Sequence, residues 1–550
     1  MSEGSGQVNV PVELAFDSTA SCQDISSEIE VDVLFTGADG SEWRVPAFWA
    51  GGSTFRARFA APTPGRYTYR TICSNAGDSG LHDQTGEIEI ARYTGDNHLY
   101  RHGPLRVAPS RRTLEHADGT PFFWMGDTWW MGLTKRLDWP HGFESLAADR
   151  VAKGFNLIQI VAGPLPDFDA EDATWHPQQA NEAGWPWEKD WARINPEFYN
   201  LADQRIAHLV ERGLVPCIVG MWGFYLPFMG ISKVKQHWRN LVARYGAYPV
   251  IWCLAGEVEM PTYSHHHDQE KLRTESSELI AGWTEVARYL REIDPYRHAI
   301  TVHPGWTQSG RDSIPTESLI DIDMLQTSHG GHAILGRTVD RVSSSNGKMP
   351  RMPVVNGEPC YEGIMGTAWQ EMQRFVFWTS ITSGSAGHTY GAQGIWAMSS
   401  RDEPFVGSTS SWGDGFWQDV MHYPGSAQVG LGRRFLERYS WWLFEPRREP
   451  EVDKLERPAF AVGIPGKTAV FYLAGQWADG RFAGVQGTRI RIEPGAHYQA
   501  TFFDPRTGAD VEIGPVKLDP DGFWPVPSKP TMDDWVLALE NADFRLQVSG

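Results

Sequence analysis

Between about residue 120 and residue 440, short apolar runs alternate with longer stretches of amphipathic, helix-like periodicity. The runs read as strands at FFWMGD (122–127), NLIQIVAG (156–163), LVPCIVG (214–220), VIWCLAGE (250–257), HAITVHP (298–304), DMLQTSH (323–329), PVVNGEP (353–359) and SAGHTYG (385–391). Stretches such as EFYNLADQRIAHLVERG and SELIAGWTEVARYLREID between them read as helices. Repetition of this unit predicts an α/β fold, a (β/α)8 TIM barrel, with its active site where the strands end. Before residue 95 the pattern is different. Short β-type runs (IEVDVLF, FRARFA, YTYRTI, EIEIARY) separated by Gly, Pro, Asp and Asn predict a β-sandwich. Beyond about residue 448 helices vanish again, and VGIPGKTAVFYLAG, YQATFFDPRTG and DWVLALE predict a small β-domain. The expected division is 1–97, 98–447 and 448–550, which suits a chain of 550 residues, too long for one typical domain.

Charge narrows the partners. A formal net charge of -19 argues against nucleic acid and anionic membranes, which reward Lys and Arg clusters, and leaves neutral substrates as the expectation. The opening MSEGSGQVNVPVEL has no basic or apolar leader, and no long apolar span follows, so the chain reads as cytoplasmic as written, or periplasmic or secreted if a signal was removed. Five cysteines form no CxxC and are odd in number, which is neither a disulfide framework nor a zinc pattern, although Cys22 and Cys73 remain a candidate pair. GDSG at 77–80 mimics a protease nucleophile motif but sits between strand candidates, where Gly and Asp make turns.

The candidate chemistry lies in the polar residues that end the barrel runs: Asp127, Gln159, Trp222, Glu257, His303, His329, Glu358, His388 and Tyr390. Two are glutamates, on the fourth and seventh strands, which nearly face each other across a barrel mouth. Glycoside hydrolysis needs two such carboxyls, one to protonate the leaving oxygen and one, ionised, to attack the anomeric carbon or to activate water. Glu257 ends the more apolar run, so its pKa is expected to be raised and its role to be acid/base. Glu358, flanked by Asn, Gly, Pro and Tyr361, is expected to stay ionised as nucleophile. Glu259 and Glu362 are the substitutes if the strand ends are displaced. A retaining mechanism requires the two carboxyls ~5–5.5 Å apart.

Other residues fill out the expected site. Asp127, His329 and His388 are expected to bond sugar hydroxyls, with Trp396 and Trp412 bounding a closed-ended pocket under the long 162–195 insertion. Four tryptophans of that insertion, Trp175, Trp185, Trp187 and Trp191, either stack on sugar or pack the loop onto the barrel. His265, His266 and His267 are consecutive and cannot aim at one ion. His303, His329 and His388 end separate strands, leaving a metal site as the alternative to hydroxyl binding.

PFFWMGDTWW (121–130), GFNLIQIV, IWCLAGE, NGEPCYEG and AGHTYGAQGIW (386–396) resemble the apiosidase-like glycoside hydrolase family, a TIM-barrel group whose known activity includes release of terminal apiose from plant glycans. FWAGGSTFRARFAAPTPGRYTYRT resembles the β-sandwich that precedes the barrel in such proteins. FFDPRTG and DDWVLAL resemble their C-terminal domain, sometimes labelled collagen-binding. The resemblance implies Glu358 as nucleophile and Glu257 as acid/base. Where the family pattern reads Gly-Gly-Asp this chain has Ala255-Gly256-Glu257, and the extra methylene carries the carboxyl outward by about 1.5 Å. The resulting expectation is a retaining exo-glycosidase without cofactor or metal, releasing a terminal sugar, such as the furanoses apiose or arabinose, from a plant-type glycoside or oligosaccharide. Its rivals are a non-catalytic carbohydrate-binding barrel and a metal-dependent barrel hydrolase or isomerase.

Overall fold

A computed structural model describes residues 3–19, 29–168, 175–261, 269–327, 329–447, 460–478, 489–491 and 497–543. Cys22 and the His265–His267 run lie outside them; Cys73 is buried in the N-terminal core.

Eight parallel strands form one sheet: β1 (Trp124–Trp129), β2 (Leu157–Val161), β3 (Val215–Val219), β4 (Ile251–Cys253), β5 (Ile300–Thr301), β6 (Asp323–Gln326), β7 (Val354–Glu358) and β8 (Gly387–Tyr390). The ladder runs from β5 back through β1 and on through β8 to β6. Between β5 and β6 the ring closes by individual bonds: Asp321 N–H donates to the Ile300 carbonyl at 2.7 Å, and the Thr301 hydroxyl to that of Ile322 at 2.9 Å. All eight runs marked by the apolar pattern are therefore strands. They are apolar at nearly every position because both faces are covered, one by the barrel interior and one by helices.

The helices that follow the strands include α1 (His141–Lys153), α2 (Pro196–Glu211), α3 (Leu226–Tyr245), α4 (Gln269–Ile293), α5 (Gly310–Ser313), α6 (Leu335–Asn346), α7 (Gln370–Thr382) and α8 (Pro424–Leu436). In α4 the buried positions Leu279, Trp283, Val286, Ala287 and Leu290 recur at helical spacing, so a single stripe faces the strands. α2 starts where Asn195 accepts the Glu197 N–H at 3.2 Å and Pro196 supplies a pre-set first turn. α5 is reduced to one turn, in a Gly- and Pro-punctuated segment that offers no apolar periodicity.

Ahead of the barrel, a five-stranded and a three-stranded sheet pack Val31, Val33, Phe35, Phe55, Phe59, Tyr67 and Ile88 between them. The GDSG segment is a turn in this unit. Asp78 accepts N–H bonds from Gly80 and Thr19 and a hydroxyl bond from Ser18, and these outweigh partial burial to lower its pKa to about 2. After the barrel, a six-stranded and a two-stranded sheet enclose Phe471, Ile490, Tyr498, Phe502, Trp524 and Leu537.

Each flank is tied to the barrel by buried arginines. Arg58 of the N-terminal unit reaches Asp203 on α2 (2.7 Å), the Arg244 carbonyl at the end of α3 (2.8 Å) and its own unit's Glu13 (2.9 Å). Arg374 on α7 grips both oxygens of Asp534 in the C-terminal sheet, at 2.8 and 2.7 Å. Arg244 also reaches Asp203, at 2.8 Å, so Arg58→Ala leaves that charge partly compensated but removes buried, charge-assisted bonds, and is expected to cost ~1–3 kcal/mol of stability. Chemical denaturation read by tryptophan fluorescence checks this, and a loss below about 1 kcal/mol would show that Asp203 is served by Arg244 alone.

Candidate active site

Glu358 ends β7 and is 4% exposed, yet three donors from three segments meet its carboxylate. His303, just past β5, places Nε2 2.7 Å from Oε2; His329, past β6, places Nε2 3.0 Å from Oε1; and the Tyr361 hydroxyl also donates to Oε1. Burial alone opposes ionisation, but the bonds and charge of His303 and His329 override it and hold this carboxyl well below the ordinary range. Tyr361 is fixed in turn: the Trp130 indole donates to its oxygen at 2.9 Å, and Trp396 stacks on its ring at 6.1 Å. A Cβ at Gly391 would stand 2.2 Å from that ring, so only glycine fits there.

Glu257 follows β4 with φ +45, the left-handed region that a side chain seldom occupies. Its two oxygens accept from different sides, Oε2 from the Trp222 indole at 3.0 Å and Oε1 from the Gln326 amide at 3.2 Å. The Trp222 ring lies so close to Gly256 that an added Cβ would meet it at 2.1 Å. His303 joins the two carboxyls. Its side chain touches Glu358, its N–H donates to the Ala255 carbonyl at 3.0 Å and its carbonyl accepts from Val258 at 3.2 Å.

The other candidates lie elsewhere. Asp127 is wholly buried on the outer face of β1, its carboxylate taken by Arg150 on α1 (2.6 Å) and the Trp129 indole (2.7 Å). His388 packs its ring against Phe377 on α7, and Tyr390 donates to Glu362 at 2.6 Å. All three face the helical layer, because side chains alternate between the faces of a strand and the interior positions are their neighbours Thr128 and Thr389. Gln159 does point inward, but deep in the barrel, donating to the Gly357 carbonyl and accepting from Thr389. His303 and His329 thus converge on Glu358, and His388 does not join them.

Glu259 and Glu362 hold backbone. Glu259 accepts the Gly305 N–H (2.7 Å) and the Ser313 hydroxyl (3.0 Å), while Glu362 accepts the Gly425 N–H (3.0 Å). Burial pushes the pKa of Glu362 up to about 7. Trp175, Trp185, Trp187 and Trp191 pack mainly on one another, and Trp187 donates to His237 at 3.2 Å.

Three groups were not singled out from sequence. Trp130 and Gln326 are polar-tipped residues at the ends of β1 and β6, within reach of the same strand-end logic. Asp167 belongs to the acidic loop run PDFDAED, where no periodicity distinguishes one carboxylate from the next.

Residues 108–443 match the model of the apiosidase-like catalytic domain, well over half of the chain. The chain belongs to the apiosidase-like family. Residues 9–74 match a domain of unknown function, DUF5060. A proposed glycoside hydrolase from Bacteroides vulgatus superposes over 98% of this chain and 100% of its own, with TM-score 0.71 at 15% identity. A glycoside hydrolase family 5 protein from the same organism covers 81% of this chain and 94% of its own (TM-score 0.64, 21% identity). A further glycoside hydrolase covers 82% and 99% (TM-score 0.64, 20% identity). At these identities the likeness speaks for the fold, and family membership makes the chain a glycosidase. No curated protein matches the chain. No helix among the described residues is long and apolar enough to cross a membrane.

The electrostatics of Asp167 yield a pH signature. Burial, then the charge of Glu257, raises its carboxyl from 3.8 to about 7. The folded state therefore holds this proton more tightly than the unfolded chain does. Stability from this group is intact below about pH 4 and is lost as pH rises through about 7, a loss on the order of 4 kcal/mol. Asp167→Asn cannot ionise and escapes the loss. Its melting temperature relative to wild type is expected to climb by several degrees between pH 4.5 and 7.5; an unchanged difference would place the Asp167 carboxyl in an ordinary, solvated setting.

Proposed function

We propose that this apiosidase-like protein is a retaining, exo-acting glycoside hydrolase that releases a terminal sugar, of furanose type such as apiose or arabinose, from a plant-type glycoside or oligosaccharide. The observation that carries the reading is the contrast between the two carboxyls. Glu358 is buried yet held ionised by the His329 and Tyr361 bonds to one oxygen and the close approach of His303 to the other. Glu257 accepts from two neutral donors, the Trp222 indole and the Gln326 amide. One is suited to attack and the other to pass a proton.

In the first step a Glu358 oxygen attacks the anomeric carbon while the Glu257 proton goes to the departing oxygen, leaving a glycosyl ester. In the second, ionised Glu257 takes a proton from water, whose oxygen attacks the same carbon and releases Glu358. The donors on Glu358 serve both steps: they keep the free carboxylate ionised and receive its charge again as the ester breaks.

The exo part rests on the loops. The β2–α2 insertion is stitched to the β8–α8 loop where Gln178 accepts from Val406 N–H (2.8 Å) and donates to the Pro404 carbonyl (2.8 Å), and where Phe168 packs on Phe405. Trp412 on the second loop contacts the His329 ring at 5.2 Å. Walls joined in this way favour a blind pocket that takes a chain end.

Glu358→Gln is expected to abolish turnover with the fold intact, since the amide keeps the shape but cannot attack. Glu257→Gln should lose roughly 10²–10⁴-fold on poor leaving groups and far less on nitrophenyl glycosides, which need little protonation. Turnover by Glu358→Gln at the wild-type rate removes the nucleophile assignment. In a proton NMR time course the first-formed sugar should keep the anomeric configuration of the substrate; inversion overturns the retaining mechanism. With an oligosaccharide, early products should be monosaccharide, and a ladder of intermediates would mean an open cleft.

A further inference from the structure

Asp167 occupies a position that the two-carboxyl mechanism does not use. Three residues upstream, the Pro164 carbonyl accepts the Trp222 N–H at 3.0 Å, tying this stretch to the residue whose indole holds Glu257. On its other side the Asp167 carbonyl and Oδ1 accept the N–H and hydroxyl of Ser408, at 3.1 and 3.0 Å. Ser408 begins the segment that brings Trp412 against His329, and hence to Glu358. Asp167 therefore sits between the supports of the two carboxyls. Charge on Glu257 and Glu358 acts on it, and its own charge acts on Tyr361.

This placement is a costly one for the fold. Asp167 is 7% exposed, has φ +63 and forms no ion pair with a cation among the described residues. Left-handed backbone at a non-glycine residue is strained and tends to gather at functional sites. The Asp167 oxygens meet the hydroxyls of Ser408 and Thr409, a latch that an asparagine would share without bringing a third acid toward two others. A carboxyl that keeps its proton, like an amide, offers a donor and an acceptor side by side, and its O–H makes the shorter bond. That pairing matches two neighbouring hydroxyls on a sugar ring.

We propose that Asp167 grips a pair of neighbouring hydroxyls on the sugar seated between Glu257 and Glu358, and so selects which terminal sugar the pocket accepts. The inference rests on the glycosidase reading and adds a sugar-binding residue to it.

The test compares wild type, Asp167→Ala, Asp167→Asn and Ser408→Ala on a nitrophenyl glycoside that the wild type hydrolyses and on its deoxy analogues, each lacking one ring hydroxyl. Asp167→Ala is expected to lower kcat/KM on the parent by roughly 10–100-fold, the effect of losing bonds to a buried polar group. On an analogue that lacks one gripped hydroxyl the same substitution should cost several-fold less, because only one of the two bonds remains to be lost. Asp167→Asn, which keeps a donor and an acceptor, should fall between wild type and alanine. Ser408→Ala, which removes the latch and leaves the carboxyl, should be milder than Asp167→Ala. Equal losses on the parent and every deoxy analogue, or a Ser408→Ala loss as large as that of Asp167→Ala, would reduce Asp167 to a loop latch and overturn the proposal.

Calorimetric binding of the free monosaccharide separates this proposal from the mechanism. Asp167→Ala should weaken that binding, and should weaken binding of the corresponding deoxy sugar by less, whether or not Glu358→Gln retains turnover. If the alanine variant does not fold, Asp167→Gly, which suits the left-handed backbone and carries neither donor nor acceptor, decides: wild-type kcat/KM on every substrate together with wild-type monosaccharide affinity would overturn the grip.

Discussion

The structure depends on keeping one negative charge in a place water hardly reaches. A buried carboxylate would ordinarily take up a proton, and Glu358 avoids this through donors delivered by different parts of the barrel: His303 from β5, His329 from β6 and Tyr361 from the loop after β7. Each donor has its own support. Trp130 and Trp396 hold Tyr361, and the backbone of His303 is bonded into the segment that carries Glu257. Closing the ring of strands is what brings these groups to one point. The left-handed turn at Glu257 belongs to the same economy, since strain there is tolerated only because Trp222, Gln326 and His303 over-determine the loop.

The barrel was legible because a parallel sheet covered on both faces writes its strands as unbroken apolar runs, and all eight runs are strands. The turn at GDSG was legible for a local reason, the short side chain of Asp78 folding back on nearby N–H groups. Within the site, residues just past a strand end (Trp222, Glu257, His303, His329) were visible as the polar stop to an apolar run. Residues inside a strand were not. Asp127 and His388 sit one position from an inward-facing neighbour, and a shift of one residue turns a side chain from the interior to the helical layer. An apolar run has no alternation to show which face is which. Asp167 escaped for the opposite reason: it lies in a loop whose conformation is set by partners hundreds of residues away, chiefly Ser408.

The long insertion illustrates the same limit. Its tryptophans invite a reading as sugar platforms, but their contacts are mostly with one another and with Tyr225 and His237, so they make the loop a small packed body of its own. Their contribution is stiffness. A loop that carries its own aromatic core can hold Asp167 and Gln178 against the facing loop without help from a ligand.

Arg58 and Arg374 bear on how such a chain can change over time. Appended domains are often treated as interchangeable cartridges joined by loose string. Here each flank meets the barrel's outer layer through a buried ion pair, Arg58 of the N-terminal unit with Asp203 on α2 and Asp534 of the C-terminal sheet with Arg374 on α7. Exchanging the C-terminal flank for an unrelated module would strand Arg374 inside the barrel's own wall, and exchanging the N-terminal one would leave Asp203 with Arg244 as its one cation among the described residues. The three parts are thus bound to travel together through recombination, and a graft succeeds only if it brings a matching ion with it.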